Sequence, residues 1–514
     1  MNENIEDDFL LKIQKNDILI AIAISSFAVF LRLIFAEHYF LGYDPVNFAM
    51  GSISFSLAET RPHLPGYFLF VKSIKFISLL VNNIHTASLL LNFILTFAAV
   101  FFSYLSLCNI FNIKISIILI LIIIFNPMIW YYGCVTEIYT FDWFFSALVI
   151  FVYFKKNGLY FLFPVLALGT GFRQSSGVLL LPFGLYLLYK QIKKQDINYK
   201  YLAYSILSAI VIFAAWFFPM VSNEGGFSGY IAMYSENNPV EKISLIQNWF
   251  RMSSLLVYFI VPYILIIIIY IVNINNIKIL KDNKFKLFVS ITLFPILFFV
   301  FGHYSKGYLL LIAFPLIAII GILIEKGIIK NNVIAITILI EITMFIFIPY
   351  HQTNIESLIK PQMRKESIPK LWLDRTFSNY ALTRARINFE SKKVDKLIQL
   401  INKTNSDTVF IDPTLSYYER ILQYYFPKKK LFTIYLHDDN ALILFSGLDV
   451  NSIKKKGFNI KNILVLTRLD FLKKFMNYKS YNIVYESSGF VLIKYKAKFN
   501  FIARYQKLFS RVNN

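Results

Sequence analysis

Between Gly42 and Tyr67 the chain gathers a carboxylate at Asp44, a second acid at Glu59, a cation at Arg61 and an imidazole at His63, although only 16% of its residues are charged. A carboxylate beside an imidazole can take a proton from a hydroxyl and orient the group that carries it, which is general-base chemistry. Taken singly, Asp44-Pro45 and Pro62-His63-Leu64-Pro65-Gly66 are turn formers. Three further groups stand apart from the apolar background. Glu137, Tyr139 and Asp142 close the segment from Asn126 to Asp142; Arg173 and Gln174 precede Ser175-Ser176 at the head of an apolar stretch; His303, Tyr304, Lys306 and Tyr308 form a compact turn. An arginine at a helix N-terminus suits a phosphate, through unpaired N–H groups, the helix dipole and a bidentate guanidinium. The plainer roles are an acid marking a membrane interface, an arginine snorkelling to headgroups and an interfacial aromatic belt.

These groups need a scaffold, and composition says which kind. With 514 residues, 57% hydrophobic content, 53 Phe and a mean hydropathy of +0.57, the chain reads as an α-helical polytopic membrane protein. Its start, MNENIEDDFLLKIQKND, carries both signs of charge and no small-residue cleavage site, so the first apolar run is expected to stay as a membrane helix. A crossing takes about 20 apolar residues, and that ruler gives about eleven spans. They fall near 18–36, 86–107, 115–131, 138–154, 158–172, 175–189, 201–221, 254–274, 285–301, 307–325 and 331–349. The fifth and sixth are short for full crossings. Segment 67–81, with Lys72 and Lys75 at helical spacing, is expected to lie in the interface.

Charge sets the orientation. With the N-terminus cytoplasmic, the lysine-rich loops fall inside, while Asp44, Glu59, Glu137 and all six histidines fall outside. The working face is then extracytoplasmic. The net charge of +22 is accounted for by membrane surface and topology, with no nucleic acid as partner. Cys108 and Cys134 match no zinc or redox pattern. The loop 222–253 is long for a helix connection and reads as either a binding loop or a connector.

The composition changes after residue 350. Residues 351–514 carry 29 Lys and Arg against 13 Asp and Glu, and no further spanning run. DTVFID, LFTIYL, NILVLT, YNIVYES and FVLIKY read as short strands, with helical stretches at 388–402 and 414–425. A membrane domain, 1–350, followed by a small basic α/β extracytoplasmic domain, 351–514, is expected. Binding an acceptor, peptidoglycan or anionic lipid and capping the site all remain open for the second domain.

The polar groups also form a series. Asp44-Pro45-Val46-Asn47-Phe48-Ala49 followed by Pro62-His63-Leu64-Pro65-Gly66-Tyr67 resembles the first outer loop of polytopic GT-C glycosyltransferases, relatives of protein O-mannosyltransferases. Leu64 stands where that branch has a proline, and Pro45 where it has a small polar residue. The Trp130-Tyr131 to Tyr139 segment, Gly171-Phe172-Arg173-Gln174-Ser175 and Gly302-His303 to Tyr308 resemble further family elements in the same order. The resemblance covers roughly residues 18–350. It implies a GT-C fold and sugar transfer from a polyprenyl-phosphate donor to a glycan, lipid or protein hydroxyl, with inversion, in a bacterial-type cytoplasmic membrane.

In that frame Asp44 is the base and His63, with Arg61, orients it or the acceptor. Arg173, Lys306 and His303 neutralise the lipid phosphate, and Glu137, Tyr139 and Gln174 are candidate substrate contacts. A lipid phosphate is already a good leaving group, so neither metal nor cofactor is expected. The sequence has no phosphate-binding GxxxxGK[ST] loop and no Asp-x-Asp motif for nucleotide sugars. The competing class is a lipid-linked glycan carrier or flippase, which would place polar groups at mid-helix. Glu341, inside the last span, is of that kind.

Overall fold

The structure is a computed structural model. It describes residues 13–155, 157–195, 197–236, 245–272, 282–302, 304, 307–351, 372–373, 376–378, 380–412, 415–437, 440–443, 463–469, 481–487 and 489–495. His303 and Lys306 lie outside them.

Long apolar runs become helices, and short polar residues mark where they start. Asn83, Asn112, Asn126 and Asn198 each accept hydrogen bonds from backbone N–H groups of the helix that follows. Five helices are long and apolar enough to cross a membrane: Lys15–Ile34, Ile84–Ile110, Tyr199–Ser222, Asn248–Val272 and Asn283–Phe301. A bent pair makes six. Four more apolar helices, Tyr139–Tyr153, Gly158–Phe172, Leu310–Glu325 and Asn331–Phe347, are shorter than 18 residues. By length and apolarity the described residues thus give five or six crossing helices, against the about eleven spans read from the sequence. The helix Phe68–Val81 has 14 residues, about 21 Å at 1.5 Å per residue. That is too short to cross.

The bent pair turns inside one apolar run. Residues 115–131 read as one span, yet Ile113–Phe125 and Pro127–Cys134 meet at 62°. Asn126 accepts from Met128 N at 3.1 Å, and Pro127 needs no donor at the first helical position. The break opens carbonyls of the first helix. Arg32, fully buried, donates to Ile124 O at 2.6 Å and lies 5.8 Å over the Trp130 ring. Asn126 also donates to Tyr263 Oη at 3.0 Å, and buried Glu341 faces this pair. The break aims the chain from Cys134 to Tyr139 toward the Asp44 region.

The segment 222–253 is not one long loop. One helix ends at Ser222, Gly225 and Gly226 turn the chain at positive φ, and a new helix runs over Gly226–Glu236. Helix resumes at Leu245.

Toward the C-terminus six strands form one sheet in the order β3-β2-β1-β4-β6-β5, namely β1 (Thr408–Ile411), β2 (Lys430–His437), β3 (Asn440–Ile443), β4 (Ile463–Arg468), β5 (Tyr481–Ser487) and β6 (Phe490–Tyr495). β1 pairs in parallel with β2 and β4; the outer pairings are antiparallel. Helices Arg384–Asn402 and Ser416–Tyr425 supply Val394, Leu397, Ile421 and Leu422 to its core. Phe40, Val46 and Ala49, from the Asp44 region, are buried in that same core. The sheet unit thus packs directly on the helix that carries Asp44.

Candidate active site

Asp44 sits in the first turn of the helix Tyr43–Ile53, where an acid meets the positive end of the helix dipole. Pro45 fits beside it, since a first-turn nitrogen has no intrahelical acceptor. The helix presents Phe48 one turn on, and the His63 ring lies 5.6 Å from Phe48 and 5.0 Å from Tyr67. Held between these rings, His63 Nδ1 stands 3.8 Å from Asp44 Oδ1, and both side chains keep about a quarter of their surface open, 29% and 26%. That distance exceeds a hydrogen bond, as catalytic contacts often do before a substrate draws them in.

The loop that delivers His63 is anchored along its length. Ser56 and Arg61 exchange two backbone hydrogen bonds of 2.8 Å. Arg61 pairs with Glu59 at 2.9 Å within the loop. Glu224 Oε1 accepts from Leu57 N at 2.7 Å, and Pro65 O accepts from both Gln174 Nε2 and Tyr230 Oη at 3.2 Å. The 222–253 segment therefore straps this loop. Gly66 needs to be glycine: its φ is +124°, and a side-chain carbon there would fall 2.6 Å from Met220 Sδ. Both Arg61-Pro62 and Leu64-Pro65 are cis.

Arg173 is the second centre, and it is not the free cation the sequence suggests. It is 3% exposed and paired with the buried Asp142 carboxylate, which also accepts from Ser176 Oγ. Asp142 enters from the first turn of Tyr139–Tyr153 and Ser176 from the first turn of Gln174–Lys193, so two helix starts converge on one carboxylate. The guanidinium plane lies 4.8 Å from the Tyr139 ring and 4.5 Å from the Tyr308 ring, an aromatic sleeve that favours a flat cation. Gly307 admits the sleeve. A side-chain carbon there would lie 2.6 Å from Tyr139 Cγ and 2.8 Å from Tyr132 Cε2. Gly307→Ala is expected to lower stability by about 1–3 kcal/mol, since two rings cannot yield as a flexible chain end does. An unchanged melting temperature in detergent would show that the sleeve is loose.

The two centres adjoin. Tyr67, against His63, lies in the neighbourhood of Arg173, and Gln174 touches the loop of His63. Glu137 Oε1 would lie 3.1 Å from a side-chain carbon at Gly42, which sets its carboxylate beside the start of the Asp44 helix. Asp44, His63, Glu137, Tyr139, Arg173 and Gln174 are thus neighbours, Arg61 is held by Glu59 on the same loop as His63, and Tyr308 of the last motif lies beside Arg173. Sequence reading missed the residues that hold Glu137 in place. Asn92 Nδ2 donates to Tyr132 O at 2.8 Å and Val135 O at 2.7 Å, and Thr136 N donates to Glu37 Oε1 at 3.1 Å. A buried Asn and Glu near apolar helices were the available signal.

Two crystal structures of ArnT from Cupriavidus metallidurans, one bound to undecaprenyl phosphate and one in the apo state, share this architecture at TM-scores of 0.54 and 0.51. Identity is 12%, over 93% of this chain and 97% of those. The chain thus has the GT-C fold of those structures. No protein-family model matches the chain, and no curated protein matches it.

Proposed function

We propose that this protein is a membrane glycosyltransferase that moves a sugar from a polyprenyl-phosphate carrier to an acceptor hydroxyl of a glycan, lipid or protein on the extracytoplasmic face. The observation that carries the reading is the Asp44–His63 pair, partly open and 3.8 Å apart, beside a sleeved arginine in a GT-C fold. Asp44 takes the proton of the acceptor hydroxyl as its oxygen bonds to the anomeric carbon. The bond from that carbon to the phosphate oxygen breaks, and the phosphate leaves with the electron pair. A single displacement inverts the configuration. His63 orients the acceptor, Glu137 and Tyr139 border the sugar, and Arg173 with Lys306 and His303 takes up the charge of the departing phosphate. A lipid phosphate bound in the solved ArnT structure supports that donor class.

The test is the purified protein in proteoliposomes, supplied with a panel of undecaprenyl-phosphate sugars. Transfer consumes the donor and releases undecaprenyl phosphate. A donor that equilibrates across the bilayer uncleaved would assign the protein to the carrier class instead.

A further inference from the structure

One side chain of the sheet unit ties together the Asp44 helix and the loop before His63. Arg420, on the helix Ser416–Tyr425, is 6% exposed, and Nε donates to Asn47 Oδ1 at 2.9 Å. Nη2 donates to Glu59 O at 2.7 Å and to Thr60 Oγ1 at 3.3 Å, and Nη1 to Gln423 Oε1 at 3.2 Å. Asn47 lies one turn along the helix from Asp44, and Thr60 stands at φ 55° just before the run Arg61-Pro62-His63. One planar group therefore spans the helix of the base and the limb of the loop that delivers the imidazole. Among the described residues its hydrogen bonds all go to neutral oxygens, with the carboxylates of Glu59 and Glu419 in its neighbourhood, so a largely buried positive charge has its donors directed at uncharged partners. Burying a charge in that way is costly, and a hydrophobic contact would join the two units at lower cost. What the guanidinium adds is fixed geometry, since its donors form a rigid fork.

The rest of the helix is aligned to serve this contact. Tyr417 Oη donates to Leu41 O at 2.9 Å, Phe40 N donates to Tyr425 Oη at 3.3 Å, and the Tyr424 ring meets Phe40 edge-on at 5.0 Å. Tyr39 Oη donates to Asp395 at 2.8 Å on the neighbouring helix. Residues 39–60 are thus gripped from one side by the sheet unit.

We infer that Arg420 is a positioning residue that holds His63 in register with Asp44, making the C-terminal unit part of the catalytic apparatus. The inference rests on the reading of Asp44 and His63 as the working pair. Its first test needs no substrate: hydrogen exchange followed by mass spectrometry on the full chain in nanodiscs. In Arg420→Ala and Arg420→Lys, residues 54–66 are expected to exchange about tenfold faster or more, the scale of losing charge-assisted hydrogen bonds. Residues 384–402 should keep their protection, and Gln423→Ala, which removes only contacts inside the unit, to Arg420, Glu419 and Leu431 O, should match wild type at 54–66. Should Arg420→Ala fail to fold, Arg420→Lys still decides, because it keeps the charge and loses the fork. Unchanged exchange at 54–66, or loss of protection throughout 384–425, would overturn the assignment.

Turnover of an undecaprenyl-phosphate sugar supplies the second arm. Arg420→Lys is expected to lower kcat about tenfold with little change in donor KM, and to add almost nothing to Asp44→Asn. An equal loss in both backgrounds would mean that Arg420 does not act through Asp44. If the wild type consumes no donor while the exchange result holds, the glycosyltransferase reading fails and the positioning role stands.

Discussion

Asp44→Asn is expected to leave an inserted, folded protein that transfers sugar about 10²–10⁴-fold more slowly, the usual worth of a general base. Asn matches Asp in size and tolerates the start of a helix as well, so the turn from Gly42 through Pro45 has no reason to change. What it lacks is a lone pair basic enough to take a proton from a hydroxyl. The 3.8 Å approach of His63 Nδ1 survives the substitution, so the loss reports proton transfer rather than a displaced loop. Glu59→Gln is the paired control: Glu59 pairs with Arg61 on the loop and carries no proton in the mechanism. Both variants would be compared with wild type for turnover of an undecaprenyl-phosphate sugar at matched protein level. Near-normal turnover in Asp44→Asn would remove Asp44 from the chemistry, and a collapse in Glu59→Gln alone would transfer the role.

The sequence shows some of this arrangement and hides the rest for identifiable reasons. Local signals carry well. The five segments read as strands coincide with β1, β2, β4, β5 and β6, since each alternates or concentrates β-branched and aromatic residues between turns. β3 escaped because its four residues follow β2 closely and offer little pattern. Asn126-Pro127 is itself a legible helix start, a capping residue before a first-turn proline, yet the apolar run around it hides the 62° bend from any count of hydrophobic residues.

Contacts between distant parts of the chain leave no local trace. Arg420 and the oxygens it holds are separated by 361 and 373 positions, and nothing about an arginine in an amphipathic helix distinguishes it from a solvated one. The four polar motifs gave the neighbourhood of the site without its pairings. Asp142 was visible as an acid near a helix start; that it faces Arg173 depends on how two helices pack.

That pairing gives a prediction whose two arms have opposite signs. Asp142→Asn keeps the shape of the side chain and leaves Arg173 buried without a counter-charge, so stability should fall by about 3–5 kcal/mol, the usual cost of breaking a buried pair from one side. Yet if Arg173 also receives the donor phosphate, Asp142 competes with that phosphate for the guanidinium. Its neutralisation should then make folded protein bind undecaprenyl phosphate more tightly. Arg173→Lys works the other way: an ammonium keeps the charge but gives up the fork and the flat face between Tyr139 and Tyr308, and binding should weaken. Both quantities come from one titration, thermal unfolding of the detergent-solubilised protein over a range of undecaprenyl phosphate, where the midpoint without ligand reports stability and its rise with ligand reports affinity. Lower stability with unchanged ligand response in both variants would confine Arg173 to joining the helices that begin at Tyr139 and Gln174. Tighter binding in Asp142→Asn with weaker binding in Arg173→Lys is the result that a phosphate site requires, because a purely structural pair has no means of moving ligand affinity in opposite directions.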